Sequence, residues 1–267
     1  MNKVLVFGDQ ITDRYHQCRA TRICPEAPVP VLVKDGTYDT LGGACLVTGN
    51  LRSLGFTVAE VTGSRSLKER FYVNGHLICR VDADSQAVYN CDEALQVEVK
   101  RCDAVVISDY CKGAVTTNAI DILIGSGKPV FVDTKDKPEL YRGSNVTIFP
   151  NVNEVESKWS GVWSQSNLFR AVVEKLGADG ARISDEHRKE VHIPTRKRQS
   201  YDVTGAGDCF IAAYVYAYMR GLDPLSCVQV ANEAAGVSVE HTGTYIVKPA
   251  DLKSVQYLFD VAEKVAV

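Results

Sequence analysis

The chain carries no marked excess of charge of either sign. Its 30 lysines and arginines stand against 33 aspartates and glutamates, a formal net charge of -3. Such a balance withholds the basic field that would hold a nucleic acid or an anionic membrane surface, so neither is expected as a partner. No apolar run reaches the length needed to cross a bilayer. The N-terminus leads directly into a strand-like run, Lys3 to Gly8, and no signal peptide is expected. The nine cysteines are odd in number and include no Cys-x-x-Cys pair. They read as reduced thiols of a cytoplasmic protein, neither a disulfide framework nor a zinc site. The five histidines are scattered without metal-ligand spacing. Low-complexity tracts, internal repeats and linker-like shifts in composition are also missing. A length of 267 residues suits one large α/β domain over 1–267 with a full core.

What is present alternates. Short apolar runs at Lys3–Gly8, Thr57–Val61, Ala104–Ser108, Val130–Asp133 and Val146–Phe149 read as buried parallel strands. Between them, Leu41–Leu54, Asp92–Lys100 and Thr117–Ser126 read as helices, the first stopped by Gly55. Asn167–Leu176 is amphipathic, Ala181–Ser184 a strand, and His187–Ile193 a returning strand. Phe210–Met219 and Leu225–Val239 form apolar helices, and Pro249–Val265 a closing amphipathic one. The alternation predicts a doubly wound, mostly parallel sheet flanked by helices. Residues 14–40 break the pattern: Pro25, Pro28 and Pro30 exclude a helix, and Val29–Val33 suggests an edge strand. Lys68–Val81 alternates around Asn74-Gly75, a strong hairpin signal. Together, residues 12–40 and 68–82 form a small β-sheet lid.

The chemistry concentrates in Asp202-Val-Thr204-Gly205-Ala206-Gly207-Asp208, followed by a long apolar run. This reads as a tight turn opening a buried helix. Backbone N–H groups in a first helical turn lack intrahelical partners, and the helix dipole there favours an anion. Gly205, Ala206 and Gly207 leave those N–H groups open to close approach. Asp208 beside them suits a base that takes a proton from a hydroxyl attacking a phosphoryl group; taken alone, the turn and its Asp read equally well as a common helix start with a dipole partner. Other acids and bases stand at the carboxyl ends of strands, where open α/β sheets bind ligands: Asp9 and Asp13 after the first, Asp109 and Lys112 after another. Asp9 and Asp13 read equally well as turn and cap carboxylates. Gly42 and Gly43 permit close approach either of a ligand or of a packed helix. Arg80, with Lys68 or Arg70, could point from the lid toward an anionic substrate or serve as a solvated strand face. Asn151 and Glu154 could hold a hydrated Mg²⁺ or cap a helix.

The Asp-x-Thr-Gly-Ala-Gly-Asp string resembles the signature of the ribokinase-like (phosphofructokinase-B) carbohydrate kinases. The resemblance extends along the whole chain through Gly8-Asp9, Asp13-Arg14-Tyr15, Arg22 to Val31, Leu41 to Ala44, Arg80-Val81-Asp82, Ser108-Asp109-Tyr110 with Lys112-Gly113, Pro150-Asn151-x-x-Glu154, and Ala231-Asn232 with Ala234-Ala235-Gly236. Within that family the text resembles the kinase domain of bacterial heptose-7-phosphate kinases of ADP-heptose synthesis. The resemblance implies a ribokinase-like core with a β lid, ATP and Mg²⁺ as cofactors, and dimerisation through the lids. It implies Asp208 as base and residues 205–207 as anion hole. Asn151, Val152, Asn153, Glu154, Thr204 and Asn232 fall to the nucleotide and its metal. Asp9, Asp13, Gly42, Gly43, Arg80, Asp109 and Lys112 surround the sugar phosphate. The implied reaction phosphorylates the anomeric hydroxyl of D-glycero-β-D-manno-heptose 7-phosphate to the 1,7-bisphosphate, with nucleotidyl transfer left to another protein. Another sugar or nucleoside kinase, or a non-catalytic sugar-phosphate-binding regulator, stays open. The chain departs from the family at Leu46, where an Asn is usual, and in short segments at 61–68 and 161–166.

Overall fold

Strand β1 (Lys3–Ile23) begins with Val4 to Phe7, all fully buried, and lies inside a ten-stranded sheet. The computed structural model describes residues 3–85, 91–159, 161, 163, 165–184 and 190–265. After β1 come β2 (Pro30–Gly43), helix α1 (Ala44–Ser53), β3 (Thr57–Val73), β4 (His76–Ala83) and α2 (Asp92–Lys100). The alternating half follows: β5 (Ala104–Asp109), α3 (Thr117–Gly125), β6 (Val130–Thr134), β7 (Gly143–Ile148), α4 (Val152–Ser157), β8 (Phe169–Lys175), β9 (Ala181–Ser184) and β10 (Glu190–Ile193). Helices α5 (Ala206–Tyr218), α6 (Pro224–Ser238) and α7 (Gln256–Val265) complete the chain.

The strand order is β10-β9-β8-β7-β6-β5-β1-β3-β4, with β2 also paired to β1. Contacts from β3 through β1 to β8 are parallel, and the outer pairs are antiparallel. From β1 the chain crosses first to β3 on one side and later to β5 on the other. The crevice at that reversal is where ligands enter sheets of this kind. Every residue of β5 is buried, as a parallel strand covered on both faces requires. One face packs on α1, α5, α6 and α7, the other on α2 and α3.

β1 changes partners in the space of one residue. Its pairing with β5 ends at Gly8, and its pairing with β2 begins at Gln10. Gly8 has φ 153°, and a methyl group there would run into the Ser108 backbone. β1 and β3 stay paired through this point, Lys3 opposite Thr57 before it and Cys18 opposite Val73 beyond it, with the register shifting between Gly8 and Gln10. The short 61–68 segment is therefore the uninterrupted middle of β3. The expected projecting sheet is present as an extension of the central one, edged by β2 and β4. Asn74 and Gly75 turn the hairpin with φ of 50° and 80°, the twist a two-residue turn needs.

Four segments differ from the sequence reading. Leu41–Gly43 ends strand β2, and the helix begins at Ala44. Asn167–Leu176 is mostly strand β8, whose charged residues are satisfied inside the fold. Pro249–Val265 divides into a 3₁₀ stretch, Pro249–Val255, and α7. The returning strand spans Glu190–Ile193, while residues 187–189 lie outside the described residues.

Asn50 ties the sheet's helical cover together. It is fully buried in α1, donates to the Leu46 carbonyl at 2.9 Å, and accepts from the Val247 N–H at 2.8 Å. Asn50→Leu keeps the volume but strands the Val247 N–H. The expected cost is about 1–3 kcal/mol, seen as a lower urea midpoint at unchanged slope. An unchanged midpoint would deny Asn50 that role.

Candidate active site

The turn before α5 is held by its own acid. The Thr204 N–H donates to Asp202 Oδ1 and the Gly243 N–H to Asp202 Oδ2, both at 2.9 Å. Gly205 caps α5 with φ 80°, and a side chain there would strike Leu46 and Thr244. Leu46, fully buried, thus packs on the glycine of the turn. Of the first-turn N–H groups, that of Ala206 donates to the Val203 carbonyl at 3.2 Å, while those of Gly207 and Asp208 lack intrahelical acceptors. The rest of α5, Cys209 to Ala217, is buried without interruption, so the helix mouth has a fixed place.

Asp208 is 3% exposed and accepts from the Tyr110 hydroxyl, at 3.1 Å to Oδ1 and 3.2 Å to Oδ2. Burial first, and the negative charge of Asp133 second, push its pKa up to about 7. Lys135, the Tyr110 hydrogen bond and Lys175 offset part of that rise. Asp133 ends in the opposite state. Burial works against its charge, but the Lys135 and Lys175 ammoniums outweigh burial and hold its pKa below the usual carboxylate range. Lys135 Nζ lies 2.9 Å from Asp133 Oδ1 and 3.1 Å from Glu154 Oε1, and Lys175 Nζ lies 2.9 Å from Asp133 Oδ2. Two ammoniums lie over the Tyr110 ring, Lys68 at 5.2 Å and Lys135 at 5.0 Å from its centre. Burial, then the Asp208 charge, keep its phenol protonated by raising its pKa.

Two carboxylates thus differ in charge state within one buried cluster, the arrangement that makes one of them a base near neutral pH. Tyr110, Asp133, Lys135 and Lys175 were not singled out in the sequence. Each sits at or just past the carboxyl end of a parallel strand, β5, β6 or β8, and that position is the signal that could have found them.

The other candidates take varied places. Asp9, fully buried, accepts from the Tyr110, Lys112 and Ala114 N–H groups at 2.8, 3.0 and 3.0 Å. It shapes the loop that carries Tyr110. Asp109 accepts from the Tyr141 hydroxyl at 2.6 Å and from Thr134 at 2.8 Å. Asp13 pairs with Arg70 at 2.5 Å in a buried contact of β1 with β3. Gly42 and Gly43 let β2 lie against β1: side chains there would meet Asp13 and the Asp9 carbonyl. Lys112 pairs with Asp84, and Arg80, on the outer strand β4, with Asp82 at 2.8 Å. Asn232 donates to the Ile193 carbonyl at 3.0 Å.

Asn151 caps α4, with Val152 and Asn153 opening the helix. The Asn151 side chain accepts from the Glu154 N–H, and Glu154 Oε2 accepts from the Asn151 N–H, both at 2.9 Å. Glu154 Oε1 holds Lys135. Direct ligation of Mg²⁺ by this pair does not fit, because the oxygens are already engaged. Among the described residues no cluster of three acidic, His or Cys side chains is arranged around a metal site. A nucleotide triphosphate does fit in charge, since free N–H groups and two ammoniums converge at the mouth of α5.

A family model described as pfkB family carbohydrate kinase matches residues 69–251. The chain is 32% identical over 301 aligned positions to the bifunctional protein HldE of Shewanella putrefaciens and 30% identical over 304 to that of Halorhodospira halophila. These alignments cover 94% of the chain and 62% and 63% of the relatives, so the chain spans a little under two thirds of their length. Both alignments are longer than 267 positions, so the relatives carry segments this chain lacks. Among solved structures, ribokinase from Thermotoga maritima superposes with a TM-score of 0.73 at 15% identity, covering 96% of this chain and 99% of that one. Phosphofructokinase-2 from Escherichia coli gives 0.71 at 17% identity, with 98% and 99% covered.

The raised pKa of Asp208 has a consequence for stability. Between the ordinary 3.8 and about 7 the folded chain keeps a proton that the unfolded chain has lost. Asp208 therefore withdraws stability as pH rises through that window, and no more above it. Asp208→Asn is expected to melt above the parent chain at pH 8, with the gap closing toward pH 4. A gap independent of pH would contradict the raised value.

Proposed function

We propose, from the premise that this chain belongs to the pfkB family of carbohydrate kinases, that it transfers the terminal phosphoryl group of ATP to a hydroxyl of a sugar phosphate, with Asp208 as general base. The observation that carries this reading is the buried Asp208 carboxylate, poised near neutrality at the open end of α5. The acceptor hydroxyl would replace the Tyr110 phenol as its partner. As the acceptor oxygen bonds to phosphorus, the bond to the bridging oxygen breaks and its electron pair leaves with ADP. The acceptor proton passes to Asp208. First-turn N–H groups, with Thr204 and Gly205 at their edge, meet the charge on the phosphoryl oxygens. Mg²⁺ would accompany the nucleotide phosphates and neutralise their charge, and Asn151 and Glu154 would hold it through water. Asn232 is proposed to lie toward the adenine.

A phosphorylated acceptor is favoured by Lys68. Burial pulls its pKa down, and among the described residues no carboxylate forms an ion pair with it. The resemblance to heptose-7-phosphate kinases and the likeness to the HldE relatives support heptose 7-phosphate as that acceptor, and Asp9, Asp13, Gly42, Gly43, Arg80, Asp109 and Lys112 are proposed to lie around it. The product would be a heptose 1,7-bisphosphate, for a separate nucleotidyl transferase to use. The sheet formed by residues 12–40 and 68–82 would close over the sugar and keep water, a competing acceptor, away.

Ile23, Val29, Val33 and Tyr38 on one hairpin and Leu77, Ile78 and Val81 on the other stand 41–64% exposed. Such a surface supports pairing of two chains through their lids. No described helix is long and apolar enough to cross a membrane, and a cytoplasmic location belongs to the same proposal.

A screen of sugars and sugar phosphates for ADP release tests the substrate: heptose 7-phosphate is expected to lead, and a better pentose or nucleoside would displace it. Asp208→Asn is expected to bind ATP while losing about 100-fold or more in turnover. Full turnover in that variant would remove Asp208 from the mechanism. Sedimentation is expected to show a dimer that Ile78→Asp dissociates, and a monomeric parent chain would refute the lid pairing.

A further inference from the structure

We propose that Lys175 is the side chain that grips the transferring phosphoryl group, and that Asp133 holds its ammonium at the mouth of α5 until the nucleotide arrives. The inference rests on the kinase reading and adds a residue to it. Lys175 ends β8, and its side chain is 12% exposed. Its ion-pair partner is Asp133, at 2.9 Å. A methyl group placed on Gly207 would lie 3.4 Å from Lys175 Nζ and 3.7 Å from Asp133 Oδ2. The ammonium therefore stands over bare backbone in the first turn of α5, on the path of an anion approaching those N–H groups.

The two lysines at Asp133 are not equivalent. Lys135 bridges two carboxylates, Asp133 and Glu154, and stays with them. Lys175 has one. If it turns from Asp133 to a phosphate oxygen, Asp133 keeps Lys135, and no buried carboxylate is left unpaired. The swap exchanges one charge-assisted contact for another in a site already shielded from water. A role in stability alone explains the arrangement poorly, because buried ion pairs seldom exceed well-packed apolar residues in net worth. A fixed ammonium beside the equatorial phosphoryl oxygens supplies what the loose transition state of phosphoryl transfer requires. Lys175 gives up no proton in the step; that of the acceptor goes to Asp208, and the electron pair of the broken bond leaves with ADP.

Calorimetric titration with ADP and with the imido analogue of ATP, which is not cleaved, tests the assignment without turnover. Lys175→Gln is expected to weaken imido-ATP by about tenfold while changing ADP by less than about twofold, with Lys175→Arg recovering most of the loss. Asp133→Asn reads the claim from the other side: it frees Lys175 and is expected to tighten imido-ATP relative to ADP. Equal weakening of both nucleotides in Lys175→Gln, or no change in either variant, would overturn the assignment while leaving the kinase reading in place. A parent chain that binds neither nucleotide would overturn both.

Discussion

Two carboxylates share one buried pocket, and the site depends on how their charges are settled. In a medium less polarisable than water, Asp133 and Asp208 raise each other's cost of ionisation. Two lysines settle the matter in favour of Asp133. Lys135 and Lys175 both bind it, while Asp208 accepts, among the described residues, from the Tyr110 hydroxyl alone. One acid stays charged and the other is left near its midpoint at neutral pH. Removing either lysine would change the proton affinity of Asp208 without touching it.

The fold supplies this imbalance through its strand order. β5, β6 and β8 run parallel, so their carboxyl ends deliver Tyr110, Asp133 and Lys175 to one edge. Helix α5 presents its N-terminus to the same edge from the opposite layer. β1 and β3 add a second connection. They run from the buried core into the projecting sheet, with one register shift after Gly8, and Lys68 on β3 reaches the Tyr110 ring. A movement of that sheet therefore bears directly on the tyrosine hydrogen-bonded to Asp208.

The parallel core and the α5 motif were legible because their signals are local. Continuous apolar runs such as Ala104–Ile107 mark strands, and Asn74-Gly75 marks its hairpin. The strand β8 was obscured by Arg170, Glu174 and Lys175, whose charges are answered elsewhere: by Tyr218, Arg182 and Asp133. Tyr218 and Asp133 lie more than forty residues from their partners, and Arg182 lies on the next strand, β9. The same limit applies to Asp9. Its backbone partners arrive from a loop about a hundred residues away, so its sequence neighbourhood could not separate a ligand contact from a loop brace. The Asn151–Glu154 spacing was ambiguous for a physical reason: the geometry that aims both at one point is the geometry of a capping box.

The claim on which the rest turns is the protonation of one side chain. Carbon-13 NMR of the chain labelled at its aspartate carboxyl carbons, titrated from pH 4 to 9, measures it directly. One resonance is expected to titrate near pH 7 and to vanish in Asp208→Asn. A spectrum in which the Asp208 resonance titrates in the ordinary carboxylate range would contradict the account.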